Sequence, residues 1–266
     1  MTQTPNGANA GRNRNWGHSR GSKNILNPTE LMEQLYGVLS MSTSMIDLDF
    51  HTEHVGNELV SAVDGTATLF AVTAGESGIA TATTGTTDNG LVGFNTLANW
   101  LGDQNCGMEV RLQLDVVTGF ALEVGFTDPL TDETLLAVDD VDTPTIGNGA
   151  TDVAVYVLDT DSTLQTAKFV SKGTSIDIQG TELGTHVPTA ATYLTIRVQL
   201  RGNDAEVIIF DENGLPVRNG VVDLTASHVA TIEGGTALRA HLLVGTRNTT
   251  AKVPTVDYVK VWQDRV

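Results

Sequence analysis

The sequence predicts an all-β protein, a sandwich or jelly roll, and three observations carry that expectation. Thr and Val number 37 and 29 among 266 residues, about a quarter of the chain. Both fit a pleated, half-buried surface and form helices poorly. From about residue 45 the apolar positions recur with the period-two spacing of strands. Turn residues punctuate these runs often enough for roughly ten or more short strands with almost no helix between them, the pattern of two packed β layers. A hydrophobic content of 40% is enough for a core and too high for general disorder.

Residues 1–26 are rich in Asn, Gly, Arg and Ser and are expected to form an extended arm with no core of its own. One short helix should follow. Asn27 can cap it, Pro28 suits its first turn, and Glu30 occupies the capping-box position. Leu31, Met32, Leu35 and Tyr36 then make an apolar stripe that Gly37 ends. A helix of about ten residues is marginal alone, so it must dock, on its own β domain or on a neighbouring subunit. The chain thus divides into residues 1–44, a basic arm with a helix, and residues 45–266, the β-sandwich domain.

Within that domain Met108, Val110, Leu112 and Leu114 alternate with Glu109, Arg111, Gln113 and Asp115. Leu194, Ile196, Val198 and Leu200 alternate with Thr195, Arg197, Gln199 and Arg201 in the same way. Each pattern gives one apolar and one polar face. The segments 120–126, 153–158, 205–210, 238–244 and 255–262 are apolar on nearly both faces and are expected to be central strands. Gly202-Asn203-Asp204 joins two strands, and Asn213-Gly214 is a hairpin signal. Between Thr127 and Asp152 lies the longest acidic excursion, with Asp128, Asp132, Glu133, Asp139, Asp140 and Asp142, either a rim loop or an extra hairpin. No repeat of fixed period is present.

The formal charge of −17 is unevenly spread. Residues 1–29 hold Arg12, Arg14, Arg20 and Lys23 and no acid, whereas the remaining 11 basic and 32 acidic residues leave −21. An acidic body excludes a DNA-coating domain, while the basic arm suits an acidic protein surface. Cys106 is the single cysteine, so no intramolecular disulfide forms, and it is expected to be a small buried hydrophobe. No apolar run approaches the roughly 18 residues of a membrane helix, and no apolar h-region follows the first basic residues. A soluble protein of a reducing cytoplasm, with neither membrane nor nucleic acid as partner, is expected.

The last strand, Val256-Asp257-Tyr258-Val259-Lys260-Val261-Trp262-Gln263, resembles the closing "DYVRVWQ" strand of concanavalin A-like jelly rolls of the laminarinase and laminin-G type. Met108–Leu112 followed by Val124-Gly125-Phe126-Thr127-Asp128, Val153–Asp161, and the meander through Leu194–Leu200, Val207–Phe210 and Asn213-Gly214 are similar to consecutive strands of that fold. In this order, with its "VGFTD" and "LDTD" elements, the pattern resembles sandwich domains of structural proteins of tailed bacteriophages. The resemblance spans roughly residues 60–265 and leaves out the arm and helix.

Laminarinase-type members hydrolyse glycans with an E-x-D-x-x-E strand, and that pattern is absent here. Glu109 and Asp115 share a strand face but stand roughly 20 Å apart at about 3.3 Å per residue. A glycosidic bond needs its carboxyls about 5–10 Å apart. Glu109 paired with Glu123 across neighbouring strands is a geometric alternative. His51 and His54, three apart beside Glu53, fall on opposite faces of a strand and make a poor metal pair. Asp159-Thr160-Asp161 and Asp139-Asp140-Val141-Asp142 offer oxygens to Ca²⁺ without the ligand spacing of a Ca²⁺ hand. The expectation is therefore no catalytic set, no metal site and no cofactor.

Sugar sites place an aromatic platform beside polar groups, and the Trp residues are Trp16, Trp100 and Trp262. Trp262 shares a face with Tyr258 and is expected in the core. Trp100 is either core or a surface anchor and is the candidate glycan contact. Trp16 sits among arginines in the arm, a combination that interfaces enrich. Arg12, Arg14, Trp16, Arg20, Lys23, Leu31, Leu35 and Tyr36 are the expected anchoring residues.

The function expected from this reading is a non-enzymatic phage virion protein, assembled in the host cytoplasm. It would be a capsid decoration (cement) or head-fibre protein, held by its arm to capsid or other virion proteins. A homo-oligomer is expected, a trimer by analogy with capsid three-fold sites. The alternative is a lectin-like module, including one on the tail, that touches a host glycan.

Overall fold

The computed structural model describes residues 43–50, 60–72, 78–132, 135–163, 165–184, 188–219 and 222–264. The chain divides into two units, Met1–Thr43 and Ser44–Val266, and the second carries the sheets. The expected helix and anchoring residues 12–36 lie outside the described residues, as do His18, His51, His54 and His186.

The strands are, in order, β1 (Thr43–Leu48), β2 (Val60–Val63), β3 (Thr68–Val72), β4 (Ala80–Thr83) and β5 (Leu91–Asn95). There follow β6 (Gly107–Leu114), β7 (Phe120–Thr127), β8 (Val138–Asp140), β9 (Thr145–Ile146), β10 (Val153–Asp159), β11 (Lys168–Lys172) and β12 (Gln179–Glu182). The last are β13 (Leu194–Arg201), β14 (Asp204–Phe210), β15 (Arg218–Asn219), β16 (Val222–Asp223), β17 (Thr225–His228), β18 (Arg239–Thr246) and β19 (Pro254–Asp264). An eight-stranded sheet runs β17-β14-β13-β6-β19-β4-β3, with β1 also against β19. A seven-stranded sheet runs β12-β11-β10-β7-β18-β5-β2. The pairs along both sheet orders are antiparallel, and β6 and β7, consecutive in sequence, lie in opposite sheets.

One core fills the space between the sheets. From the eight-stranded sheet come Met108, Val110, Leu112, Ile196, Val198, Val207, Ile209, Val259 and Val261. From the other come Leu122, Val124, Phe126, Tyr156, Phe169, Leu242 and Val244. β6 and β13 bury alternate residues, as their patterning predicts. Gly202, at φ +59°, takes the left-handed backbone that the β13–β14 turn needs, and Gly214, at φ +74°, does so in the Asp211–Leu215 turn. Cys106 is fully buried, and desolvation pushes its thiol up to about 12, so it packs as an inert hydrophobe.

The two outer faces differ. The acidic excursion is the extra hairpin: β8 and β9 pair with one another, and the segment 135–150, with Leu130, lies against the outer face of the seven-stranded sheet. Leu130, Ala137, Val138, Val141 and Ala150 pack on Val153, Val155, Val157 and Val170, forming a second small core. That cover is why β7 and β10 are buried on both faces. Its pin is Glu123, which points outward from β7 yet is fully buried. Glu123 Oε1 accepts from the Ala137 backbone N–H at 3.0 Å and Oε2 from that of Val138 at 3.1 Å. His241 Nε2 lies 2.7 Å from Glu123 Oε1, and Nδ1 lies 2.7 Å from Asn95 Oδ1. Lys168 adds a second tie, its ammonium donating to the Asp142 carbonyl at 2.7 Å.

On the eight-stranded sheet, 205–210 and 255–262 depart from the central-strand expectation. Only one face of β14 and β19 is buried, and Ile208, Phe210, Tyr258 and Trp262 stay half-exposed on the other. Truncating Glu123 to Ala strands two backbone donors and the imidazole, a loss of about 3 kcal/mol. Chemical denaturation should show that loss, with hydrogen exchange rising first at Ala137 and Val138. Unchanged exchange there would mean that the hairpin is held by its apolar contacts alone.

Candidate functional site

A β-bulge between Val256 and Tyr258 sets which side chains the open face of the eight-stranded sheet presents. Strict alternation would put Val256, Tyr258 and Trp262 on one face. The extra residue, Asp257, shifts the count, so that Val256, Val259 and Val261 enter the core and Tyr258, Lys260 and Trp262 face out. The expected core position of Trp262 is thereby corrected. Asp257 itself is ion-paired with Arg111 on the neighbouring strand.

The register then lays three rows across the strands. Nearest the sheet centre are Tyr258, Arg111, Thr195 and Phe210; next are Lys260, Glu109, Arg197, Ile208 and Thr225. At the end lie Trp262, Gly107, Gln199, Glu206 and Ser227. In the first two rows the charges are committed. Arg197 Nε donates to Glu109 Oε2 at 2.6 Å, and the Tyr258 hydroxyl donates to Glu109 Oε1 at 2.7 Å. Burial and that carboxylate push the Tyr258 phenol well above its ordinary value. Arg111 stacks on Tyr193 at 4.2 Å, Arg197 on Phe210 at 5.0 Å and Lys260 on Tyr258 at 5.0 Å.

The end row is different. The six-membered ring of Trp262 packs directly over Gly107: a Cβ there would meet Trp262 Cζ2 at 2.2 Å. Glycine at 107 is what lets the indole settle onto the strand as a half-exposed platform. Among the described residues, the Trp262 indole N–H and the side chains of Glu206 and Ser227 have no hydrogen-bond partner. Gln199 accepts only from Arg201, at 3.2 Å. The far end of the row opens into a recess of about 120 Å³ lined by Gln199, Arg201, Asp204, Glu206, Ser227 and Val229. An aromatic platform and unspent donors and acceptors thus converge on one strip.

Other expected positions fall elsewhere. Trp100 is only 5% exposed; it bridges to Leu238 and its indole N–H donates to Thr96 Oγ1 at 2.8 Å. It belongs to the core, and its ring offers no stacking surface. Glu109 and Glu123 project from opposite outer faces, with the core between their sheets, so they cannot address one glycosidic bond. Asp159 is held by Arg247, whose Nε and Nη2 donate to Oδ2 at 2.9 and 2.6 Å. Asp140 caps its own turn at Asp142 and Thr143. Among the described residues no three His, Cys, Asp or Glu side chains are grouped to hold a metal ion.

No protein-family model matches the chain, and no curated protein matches it. Solved structures do. A Shewanella oneidensis MR-1 protein of unknown function aligns with TM-score 0.58 and 13% identity over 90% of this chain and 95% of its own. The carbohydrate recognition domain of Emp47p aligns with TM-score 0.54 and 11% identity over 85% and 99%. The CBM2 module of the evolved Dit of Lactobacillus casei BL23 phage J-1 aligns with TM-score 0.51 and 10% identity over 85% and 97%. The fold is the concanavalin A-like β-sandwich that lectin domains share.

Behind Ser227, His228 faces inward and ties β17 to the other sheet. Its Nδ1 lies 2.5 Å from Ser171 Oγ and its Nε2 2.9 Å from Thr181 Oγ1, with the ring against Phe169 at 4.8 Å. Desolvation lowers its pKa from the ordinary 6.5. The unfolded chain therefore takes up this proton first, and the stability that neutral His228 contributes is present above about pH 6.5 and lost as pH falls through it. Melting temperatures from about pH 8 to 5 should drop less steeply in a His228→Gln variant than in the parent. Parallel curves would remove His228 from that role.

Proposed function

We propose that the protein is a non-enzymatic, lectin-like component of a tailed-phage particle that binds a host-surface glycan through the open face of its eight-stranded sheet. The observation that carries this reading is the Trp262 platform on Gly107, beside the amide N–H2 of Gln199 and the side chains of Glu206 and Ser227, none of which has a partner among the described residues. A pyranose ring stacks its apolar face on an indole while its hydroxyls bridge to amide, carboxylate and hydroxyl groups. The fold shared with a carbohydrate recognition domain and with a phage Dit CBM2 module supports the same reading. So does the position of the hairpin, which covers the middle of the opposite sheet's outer face.

A capsid-decoration role stands second, favoured by the charge division of +4 over residues 1–29 and −21 over the rest. In either role residues 1–44 are the proposed anchor to a virion partner and the sandwich is the exposed module. Many copies on a particle would raise weak single-site binding through avidity.

On a glycan array the protein should retain a defined set of sugars, and Trp262→Ala should weaken that binding roughly tenfold or more with little change in melting temperature. Gly107→Ala should do the same by lifting the ring. Deleting residues 1–26 should leave glycan binding intact and abolish attachment to particles. Full attachment without residues 1–26 would overturn the anchor, and sugar binding indifferent to Trp262 would overturn the site.

A further inference from the structure

Resting on the glycan reading, we infer that the end row takes an uncharged oligosaccharide lying across the strands, several rings long, and discriminates against acidic glycans. Trp262 and Ser227 are four strands apart in register. At about 4.8 Å per inter-strand step the row is roughly 19 Å long, and a pyranose unit of an extended glycan advances by about one such step. The platform lies over Gly107 and the recess runs on from Gln199 to Ser227, so one ring can touch the platform and the near edge of the recess but cannot span the whole row. The direction is set by what flanks it. The adjoining row is closed by the Arg197–Glu109 pair and the Tyr258 hydroxyl, which leaves the uncommitted groups running across the strands, not along them.

The charge follows from the same groups. Glu206, at the mouth of the recess, has no partner among the described residues. Arg201, the one cation there, is drawn to Gln199, and Asp204 accepts from the Ala230 backbone N–H at 2.8 Å. A lone carboxylate accepts hydroxyl pairs from a neutral sugar well, but an acidic sugar would meet it as a like charge on a body already strongly negative. The outer face has enough cations to attract an anion, yet Arg111, Arg197 and Lys260 are each paired with a carboxylate.

Calorimetry of the full chain against neutral homo-oligosaccharides of increasing length, taken from the polysaccharide scoring best on the array, tests this. Affinity should climb with each added unit up to about four and then level off. It should change little with added salt, and uronic-acid oligomers of equal length should bind at least about tenfold more weakly. Glu206→Gln should narrow the gap between neutral and acidic ligands, and Ser227→Ala should weaken the longer ligands while sparing the shortest. A monosaccharide that binds as tightly as the tetramer would overturn the extended site, and tighter binding of the acidic series would overturn the charge assignment. Either result leaves the glycan reading standing if Trp262→Ala still weakens binding roughly tenfold or more. Failure to bind any neutral or acidic glycan overturns that reading and this inference together.

Discussion

The bulge at Asp257 is the constraint on which the eight-stranded sheet depends. β19 runs through the middle of that sheet, with β6 along one side and β4 and β1 along the other. A strand with an unbroken period of two would send Val259 and Val261 outward while Tyr258 and Trp262 entered the core. Two large aromatic side chains would then have to fit where two valines now pack at full burial. The single inserted residue prevents this, and its carboxylate is used at once, pairing with Arg111 on the adjacent strand. The row pattern of the open face, the Glu109 network and the seating of Trp262 on Gly107 all follow from that one displacement.

The two sheets share an antiparallel build and have opposite fates. Outward-pointing Val153, Val155 and Val157 are too apolar to face water, and the hairpin covers them. A buried carboxylate is tolerable there because Glu123 receives two backbone N–H groups and sits against His241. The other sheet solves the same problem with charge pairs and cation–π stacks, which need no cover. One outer face is thus spent on stability, and the other remains available at its end row.

Much of this was legible in the residues, for a physical reason. Alternation in Met108–Leu114 and Leu194–Leu200 reports one buried face directly, and those strands are where the pattern puts them. The closing strand was equally legible as a strand, but not its facing, because a bulge has no composition of its own and one residue inverts every side chain beyond it. The hairpin was obscured by its acids: Asp139, Asp140 and Asp142 dominate the segment, while Leu130, Ala137, Val138 and Val141, which do the packing, are too sparse to show a period. Both-face burial in 120–126 and 153–158 was readable, although its cause is that hairpin and not a position deep in a thicker stack. Trp262 left its expected place in the core and Trp100 took the core one of its two alternatives, since local sequence says that an indole is present and not which way its strand turns. Gln199, Glu206 and Ser227 carried no signal at all, being ordinary polar positions that only the register aligns.

The proposed ligand meets the end row of the open sheet. Nuclear magnetic resonance titration of the folded chain with its best-binding neutral oligosaccharide tests this placement most directly. The largest shifts are expected at the Trp262 indole N–H and at the backbone amides of Gly107, Gln199, Glu206 and Ser227, with residues 138–146 unmoved. Shifts concentrated in 138–146 and the outer face of the seven-stranded sheet, with the Trp262 indole silent, would contradict that placement.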